Sequence, residues 1–468
     1  MRSALAVVLV VLAGASAAAG SGPPGTRAPT ATAATAAPIL FLNRCVGGCV
    51  IHRGGDDART STSSIPDPDG VTGQTDFTLT EFNGTQAEWD AVVKCVKEVY
   101  SPYDLTITET RPVGQPYNEE VIAGSDFELK VQAGGISPGH GACAPYNYVM
   151  SFTFANQWNG GQRVFDICRV AAQESGHAYG LDHSFSTIDG ISACNDPMSY
   201  RGDCGGQRFF RNVDFKCGEY AARTCGCSAT QNAHVLLLSE LGPGTPTTAP
   251  PVVTVTTPAQ GATIGSGSAV VATASAQRGI DKLELWLNGY KWSSVRGAAW
   301  GANGQPETGY ALPIPADVPD GVIDIVVKAK DDIEVTTESS PVRVTKGAPC
   351  TSADTCAAGQ RCDDQGRCLW DPPVGAAGEP CTFPQYCTSG VCAGPVDGGQ
   401  MLCSQTCIPG VSDSCPVDYD CLEQSPGKGV CWPAGEGDGG CCSTSHGAAT
   451  QSALLAFGLA LVLRRRRR

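Results

Sequence analysis

The placement of cysteines constrains this chain most. Twenty-four occur among 468 residues, in separated groups: ten between Cys45 and Cys227, twelve between Cys350 and Cys431, and the adjacent pair Cys441 and Cys442. None falls between Pro251 and Ala348. Residues 1–19 supply the compartment that such numbers require, because Arg2 is followed by a Leu/Val/Ala run and then small residues at Ala17 to Ala19, the layout of a secretory signal peptide. An exported chain folds where thiols oxidise, so both large groups read as disulfide frameworks whose connectivity the spacing does not reveal. Zinc knuckles, the competing reading of clustered cysteines, need CxxC pairs, and none occurs between Cys350 and Cys431.

The chain is too long for one hydrophobic core, and its composition changes mark the boundaries. Residues 20–37 are Pro, Thr, Ala and Gly, a flexible spacer or short pro-segment. Residues 38–242 read as one α+β domain. PILFLNRC (38–45) is a buried strand, and FELKVQA (127–133) and YVMSFTFAN (148–156) alternate as half-buried strands do. Thr85-Gln-Ala-Glu88 has capping-box spacing, and Trp89, Val92, Val93, Val96 and Val99 then share a helical face. A second helix is expected over 164–179, ended by Gly180.

Residues 243–251, within LGPGTPTTAPP, form a linker, and 252–346 follow as a β-sandwich with strands at VVTVTTP, SAVVATASA, DKLELWLNG and GVIDIVVKAK. Residues 347–435 have too few apolar side chains for a core and must be held by disulfides. The tail, 436–468, carries GGCC (439–442), an apolar stretch from Ala448 to Leu463 and five arginines. That stretch is short against the ~20 residues of a stable span, and the arginines would stay on the cytoplasmic side. The formal charge of −14 becomes more negative if Arg2 and Arg464 to Arg468 are lost with leader and tail, which excludes nucleic acid as a natural partner.

Chemistry concentrates in residues 173–183, QESGHAYGLDH. On a helix Gln173 and His177 lie four apart on one face, with Glu174 one turn before His177. Gly180 can take positive φ, end the helix and swing His183 back to the same point. This segment resembles the metzincin zinc motif HExxHxxGxxH at every defining position except the first, where Gln173 replaces histidine. Met198, in NDPMSY, stands where metzincins place the methionine turn, and Tyr200 matches the tyrosine that approaches zinc in astacin-like and serralysin-like members.

The resemblance implies an α+β metallopeptidase domain binding Zn2+ through His177, His183 and Gln173. It makes Glu174 the general base, Met198 the support of the site and Tyr200 the donor to the oxyanion. It also implies an endopeptidase acting on protein or peptide substrates, held in extended form along the edge strand that YVMSFTFAN is expected to supply. A neutral amide oxygen is a weaker zinc ligand than imidazole, so Tyr200, Asp182 or His140 are candidates to make up the shortfall. Asp182 reads otherwise as an exposed charge or as a partner of a ligand, and His140 as a loop histidine. Acidic residues in GGDDARTSTSSIPDPDG (54–70) allow Ca2+, but EF-hand and RTX spacings are lacking and an ordinary surface loop is favoured. In RCVGGC a short Cys45–Cys49 disulfide is simpler than a zinc-binding thiol.

Residues 252–346 resemble bacterial immunoglobulin-like domains, and the tail resembles the MYXO-CTERM sorting signal. The latter implies removal of the tail and retention at the cell surface, with the cell envelope as partner; an ordinary single-pass anchor is the alternative. The rival to a surface-retained peptidase is a non-catalytic binding or adhesion protein on a degenerate metzincin scaffold, and a third reading is an adhesin whose function lies in residues 251–431.

Overall fold

A computed structural model describes residues 36–434 apart from 140–143, 189, 202–204, 298–307, 396–398, 408, 410–413 and 426–427. The expected signal peptide, almost all of the 20–37 spacer, His140 and the sorting tail lie outside the described residues. Among the described residues no helix is long and apolar enough to cross a membrane. The chain divides into two compact units, residues 1–348 and 349–468.

The first unit opens with β1 (Ile39–Asn43), β2 (Cys49–Arg53), β3 (Thr62–Ser63) and β4 (Asp76–Leu79), followed by helix α1 (Gln86–Tyr100). Then come β5 (Thr106–Thr108), β6 (Asn118–Ile122), β7 (Gly135–Ile136), β8 (Met150–Thr153) and helix α2 (Arg163–Ala178). The main sheet runs β5-β1-β6-β8-β7, parallel except for the antiparallel edge strand β7. Such a sheet is covered on both faces. Leu40 and Leu42 of β1 enter one core with α1 and α2, while Phe41 joins Ile51, Phe77, Val121 and Phe152 in a core on the other face. The expected capping box is formed, with Thr85 and Glu88 exchanging bonds, and all five expected apolar residues of α1 are buried. Cys95–Cys168 ties α1 to α2, and Cys45–Cys49 closes the short loop after β1.

Two strand expectations are corrected. FELKVQA is not a strand; Asp126–Leu129 is a single 3-10 turn. The Glu128 carboxylate accepts from the Ser125 amide at 3.0 Å, so a local cap outweighs the alternating pattern. YVMSFTFAN does form β8, but inside the sheet, and the edge belongs to β7. The polar positions of its alternation are buried: Ser151 donates to the Glu174 carbonyl at 3.2 Å and Thr153 to Glu120 at 2.7 Å. The linker is also less free than its composition suggests, because Gly244 N bonds to Pro102 O at 2.8 Å and Thr247 N to Ser101 Oγ at 3.0 Å.

After α2 come β9 (Ser184–Thr187) and β10 (Phe215–Cys217), an antiparallel pair, and helix α3 (Ala233–Leu241). The sandwich follows: β11 (Val252–Thr257), β12 (Thr263–Ile264), β13 (Ala269–Ser275), β14 (Lys282–Leu287), β15 (Tyr290–Arg296), β16 (Thr308–Pro313), β17 (Gly321–Lys330), β18 (Thr336–Glu338) and β19 (Val342–Lys346). One sheet is β11-β13-β16; the other is β12-β19-β17-β14-β15, with β18 paired to β17. Val270, Leu285, Ile325 and Val344 fill the space between them. The sandwich meets the α+β half through buried charge. Arg278 binds Asp332 through two bonds of 2.9 and 3.0 Å and donates to Phe210 O at 2.9 Å, while Arg211 lies 3.4 Å from Asp332 and donates to Arg278 O at 2.6 Å.

The second unit is held by disulfides arranged as a repeat. Its bonds are Cys350–Cys362 with Cys356–Cys368, Cys381–Cys392 with Cys387–Cys403, and Cys407–Cys421 with Cys415–Cys431. Each set of four cysteines joins first to third and second to fourth. In every set the third and fourth face each other across a hairpin, as Cys362/Cys368, Cys392/Cys403 and Cys421/Cys431. These sulfurs are therefore not zinc ligands.

Candidate metal centre

Helix α2 presents Gln173, Glu174 and His177, all buried, on its last turns. Gly180 then adopts φ of +91°, a conformation costly for any other residue, and turns the chain so that Leu181 N bonds back to Gly176 O at 3.1 Å. The turn delivers His183 to the helix face. His177 and His183 point their Nε2 atoms at each other across 3.1 Å, and the Gln173 amide lies 3.5 Å from His183 Nε2.

The outer ring nitrogens fix what these atoms can do. His177 Nδ1 is 2.7 Å from Leu181 O, and His183 Nδ1 is 2.8 Å from Glu219 Oε1. Burial pushes the Glu219 carboxyl up, but hydrogen bonds from Arg223 and His183 outweigh it and bring its pKa down to about 2. Both partners are thus acceptors, so each Nδ1 carries hydrogen, and a ring with no second proton turns an Nε2 lone pair inward. Two facing lone pairs repel unless a cation or a shared proton lies between them. Two nitrogens on one tetrahedral zinc are separated by roughly 3.3 Å, close to the spacing found, and a half-turn of the Gln173 amide would direct its oxygen to the same point. The donor set fits a divalent metal.

Glu174 lies beside this point, with Oε1 3.4 Å from Gln173 Nε2. Burial, only partly offset by Arg169, raises its pKa to about 8, so the carboxyl exchanges a proton near neutral pH. Strand β7 passes directly over it: a Cβ on Gly135 would come within 2.7 Å of Glu174 Cγ and 2.4 Å of Val170 Cγ1. Among the described residues this strand pairs only with β8, so a sheet edge lies beside Glu174.

Met198 is fully buried in the turn before Tyr200, and a Cβ on Gly176 would lie 3.0 Å from its sulfur. Its amide bonds to Asp196 Oδ1 at 2.9 Å, while Asp196 Oδ2 accepts from Arg211 N at 2.9 Å. Tyr200 is 43 % exposed and sets its ring edge-on to His183, with centroids 4.5 Å apart. Gln173, Glu174, His177, His183, Met198 and Tyr200 are thus gathered here, while His140 lies outside the described residues. Asp182 is not an exposed charge: it is buried and forms two bonds of 2.6 and 2.7 Å with Arg223.

Glu219 and Arg223 escaped the sequence reading. They sit in the loop closed by Cys217–Cys225, and Gly218 N bonds to His183 O at 3.1 Å. Their i,i+4 spacing marks an ion pair, but only the pairing of β9 with β10 brings it to His183. Asp182, His183 and Glu219 offer ligand atoms within 4.8 Å of one another.

The family description "Bacterial Ig domain" matches residues 251–313. This part of the chain is immunoglobulin-like, within a mostly sheet-built protein with a disulfide-rich C-terminal region. No curated protein matches the chain. Among solved structures, the fibronectin(III)-like modules of Clostridium thermocellum CbhA are 17% identical with a TM-score of 0.16, over 20% of this chain and 96% of theirs. Bacteroides uniformis beta-glucuronidase 3 is 10% identical with a TM-score of 0.15, over 33% of this chain and 21% of its own. Likeness at that level carries no functional argument.

Proposed function

We propose that this chain is an exported, surface-retained zinc endopeptidase of metzincin type, with residues 38–242 as its catalytic domain. The observation that carries the reading is the pair of inward-facing Nε2 atoms of His177 and His183 beside a buried glutamate. His177, His183 and Gln173 are the residues that would hold zinc, which when bound would supply Lewis acidity for the scissile carbonyl and for an attacking water. Strand β7 offers main-chain groups to an extended peptide and so sets the peptide across Glu174. Glu174 takes a proton from the attacking water as its oxygen bonds to the carbonyl carbon, and passes it to the amine nitrogen as the C–N bond breaks. Tyr200, partly exposed beside His183, donates a hydrogen bond to the carbonyl oxygen as charge develops there. Retention at the cell envelope rests on the composition of the tail alone.

The test uses the full chain with its disulfides formed. Zinc content and casein cleavage are measured for the wild type, Glu174→Ala and Gln173→His. The reading expects about one zinc per chain in the wild type, zinc retained but cleavage lost by a factor of at least ~10² in Glu174→Ala, and tighter zinc in Gln173→His. No zinc and no cleavage in the wild type, with both gained in Gln173→His, would instead assign a degenerate site on a binding protein.

A further inference from the structure

We infer that Glu219 is a positioning residue for His183: it fixes the proton on Nδ1, aims Nε2 at the metal point and adds negative charge that offsets the weak ligand Gln173. The inference rests on the zinc reading above.

His183 follows a glycine turn rather than lying on a helix, so its ring needs an orienting contact of its own, as His177 on the helix has in Leu181 O beyond the turn. The contact is Glu219 Oε1 at 2.8 Å, and it is built rather than incidental. Glu219 is held by Arg223 at 2.8 Å, and Arg223 in turn grips Asp182, whose Oδ1 accepts from the His183 amide at 2.8 Å. The side chain and the backbone of one residue are thus fixed by the same three charged groups. The Cys217–Cys225 bond, the Arg223 N to Cys217 O bond and the Gly218 N to His183 O bond hold that loop in place. A carboxylate on the outer nitrogen of an imidazole ligand raises the basicity of the inner one. That matters more where one of three ligands is a neutral amide than where all three are imidazoles.

Glu219 Oε1 meets the outer nitrogen of His183, on the far side of the ring from the inward-facing Nε2, so its effect belongs in metal affinity. The experiment compares zinc dissociation constants of the full-length wild type, Glu219→Gln and Glu219→Ala by chelator competition. Alongside are recorded the visible spectrum of Co2+ bound in place of zinc and the melting temperature of the metal-free proteins. Glu219→Gln keeps an acceptor for Nδ1 while losing the charge; Glu219→Ala loses both. Arg223 keeps Asp182 in each variant, which preserves the loop.

The expected result is zinc binding weaker by about 10-fold to 100-fold in Glu219→Ala, a smaller loss in Glu219→Gln, a changed Co2+ spectrum and an unchanged metal-free melting temperature. Wild type that takes zinc, with Glu219→Ala taking it equally well, overturns the role of Glu219 and leaves the zinc reading standing. Wild type that takes no zinc overturns both. A loss of affinity matched by a lowered metal-free melting temperature in both variants also overturns it, because Glu219 would then be acting on the fold.

Discussion

Glu119 and Glu120 are consecutive carboxyls on the central strand β6, both buried, one on each face of the sheet. Burial raises Glu119 to about 7 against the opposing pull of Arg111 and Asn43, and it raises Glu120 well above the carboxylate range, where Thr153 donates at 2.7 Å and Glu174 adds repulsion. A carboxyl whose folded pKa lies above its unfolded value supports the fold fully below the unfolded value, here 4.5, and loses that support as pH rises through about 7. Urea unfolding of the wild type should therefore show stability falling from about pH 5 to pH 8, and the fall should be shallower in Glu119→Gln. Equal slopes in the two proteins would show that Glu119 does not titrate in this range. The neighbouring histidine site illustrates what single residues disclose. Gln173, Glu174, His177 and His183 were legible because helical periodicity and one glycine bring them together through local geometry. Glu219 was not, because its approach depends on β10 pairing with β9, which sets Cys217 opposite Ser184, and not on local spacing.

At the scale of elements, α1 and its cap followed from spacing alone, as did β1 and the four expected sandwich strands. Both strand errors involve polar side chains that bond within the protein, and in FELKVQA that side chain is Glu128, which caps its own turn. Alternation predicts an exposed face only when polar residues go to water, and Ser151 and Thr153 of β8 go instead to buried partners on α2 and β6. Strand β7 was illegible for the opposite reason: two residues, Gly135 and Ile136, carry no pattern. Yet Gly135 is what allows a sheet edge to pass so close to Glu174. Gly135→Ala would place a methyl within 2.4 Å of Val170 Cγ1, 2.7 Å of Glu174 Cγ and 2.9 Å of the Phe152 carbonyl, and the backbone atom among them cannot swing aside. Lifting β7 off the helix should lower stability by about 1–3 kcal/mol and reduce any peptide cleavage more than it reduces zinc content. A variant with wild-type melting temperature and turnover would refute this account of the edge.

At the scale of the molecule, the composition break near residue 243 suggests separable modules, but the contact between them is not that of separable modules. Arg211, Arg278 and Asp332 are all buried, and Asp332 is brought down to about 2 because the two arginines outweigh its burial. Its contribution is fully present above the usual aspartate value and is lost as pH falls through about 2, so the joint endures in mild acid. Asp332→Asn leaves two guanidinium groups under-compensated and should cost about 3–5 kcal/mol, read as a lowered urea midpoint. The cost should reach the candidate site, because the Arg211 amide supports Asp196 and Asp196 supports the Met198 turn. A chain cut after residue 242 would strip Arg211 of Asp332 and of the Arg278 carbonyl together. The immunoglobulin-like half thus completes the fold of the half before it.

The repeated disulfides of residues 350–431 bear on how long such a chain survives among proteases. Because first joins third and second joins fourth, a backbone cut anywhere between the first and fourth cysteine of a set leaves both ends covalently attached. A nick there shortens no tether and frees no fragment. Severance is confined to the stretches between sets, residues 369–380 and 404–406, so most of this segment can be broken without being parted.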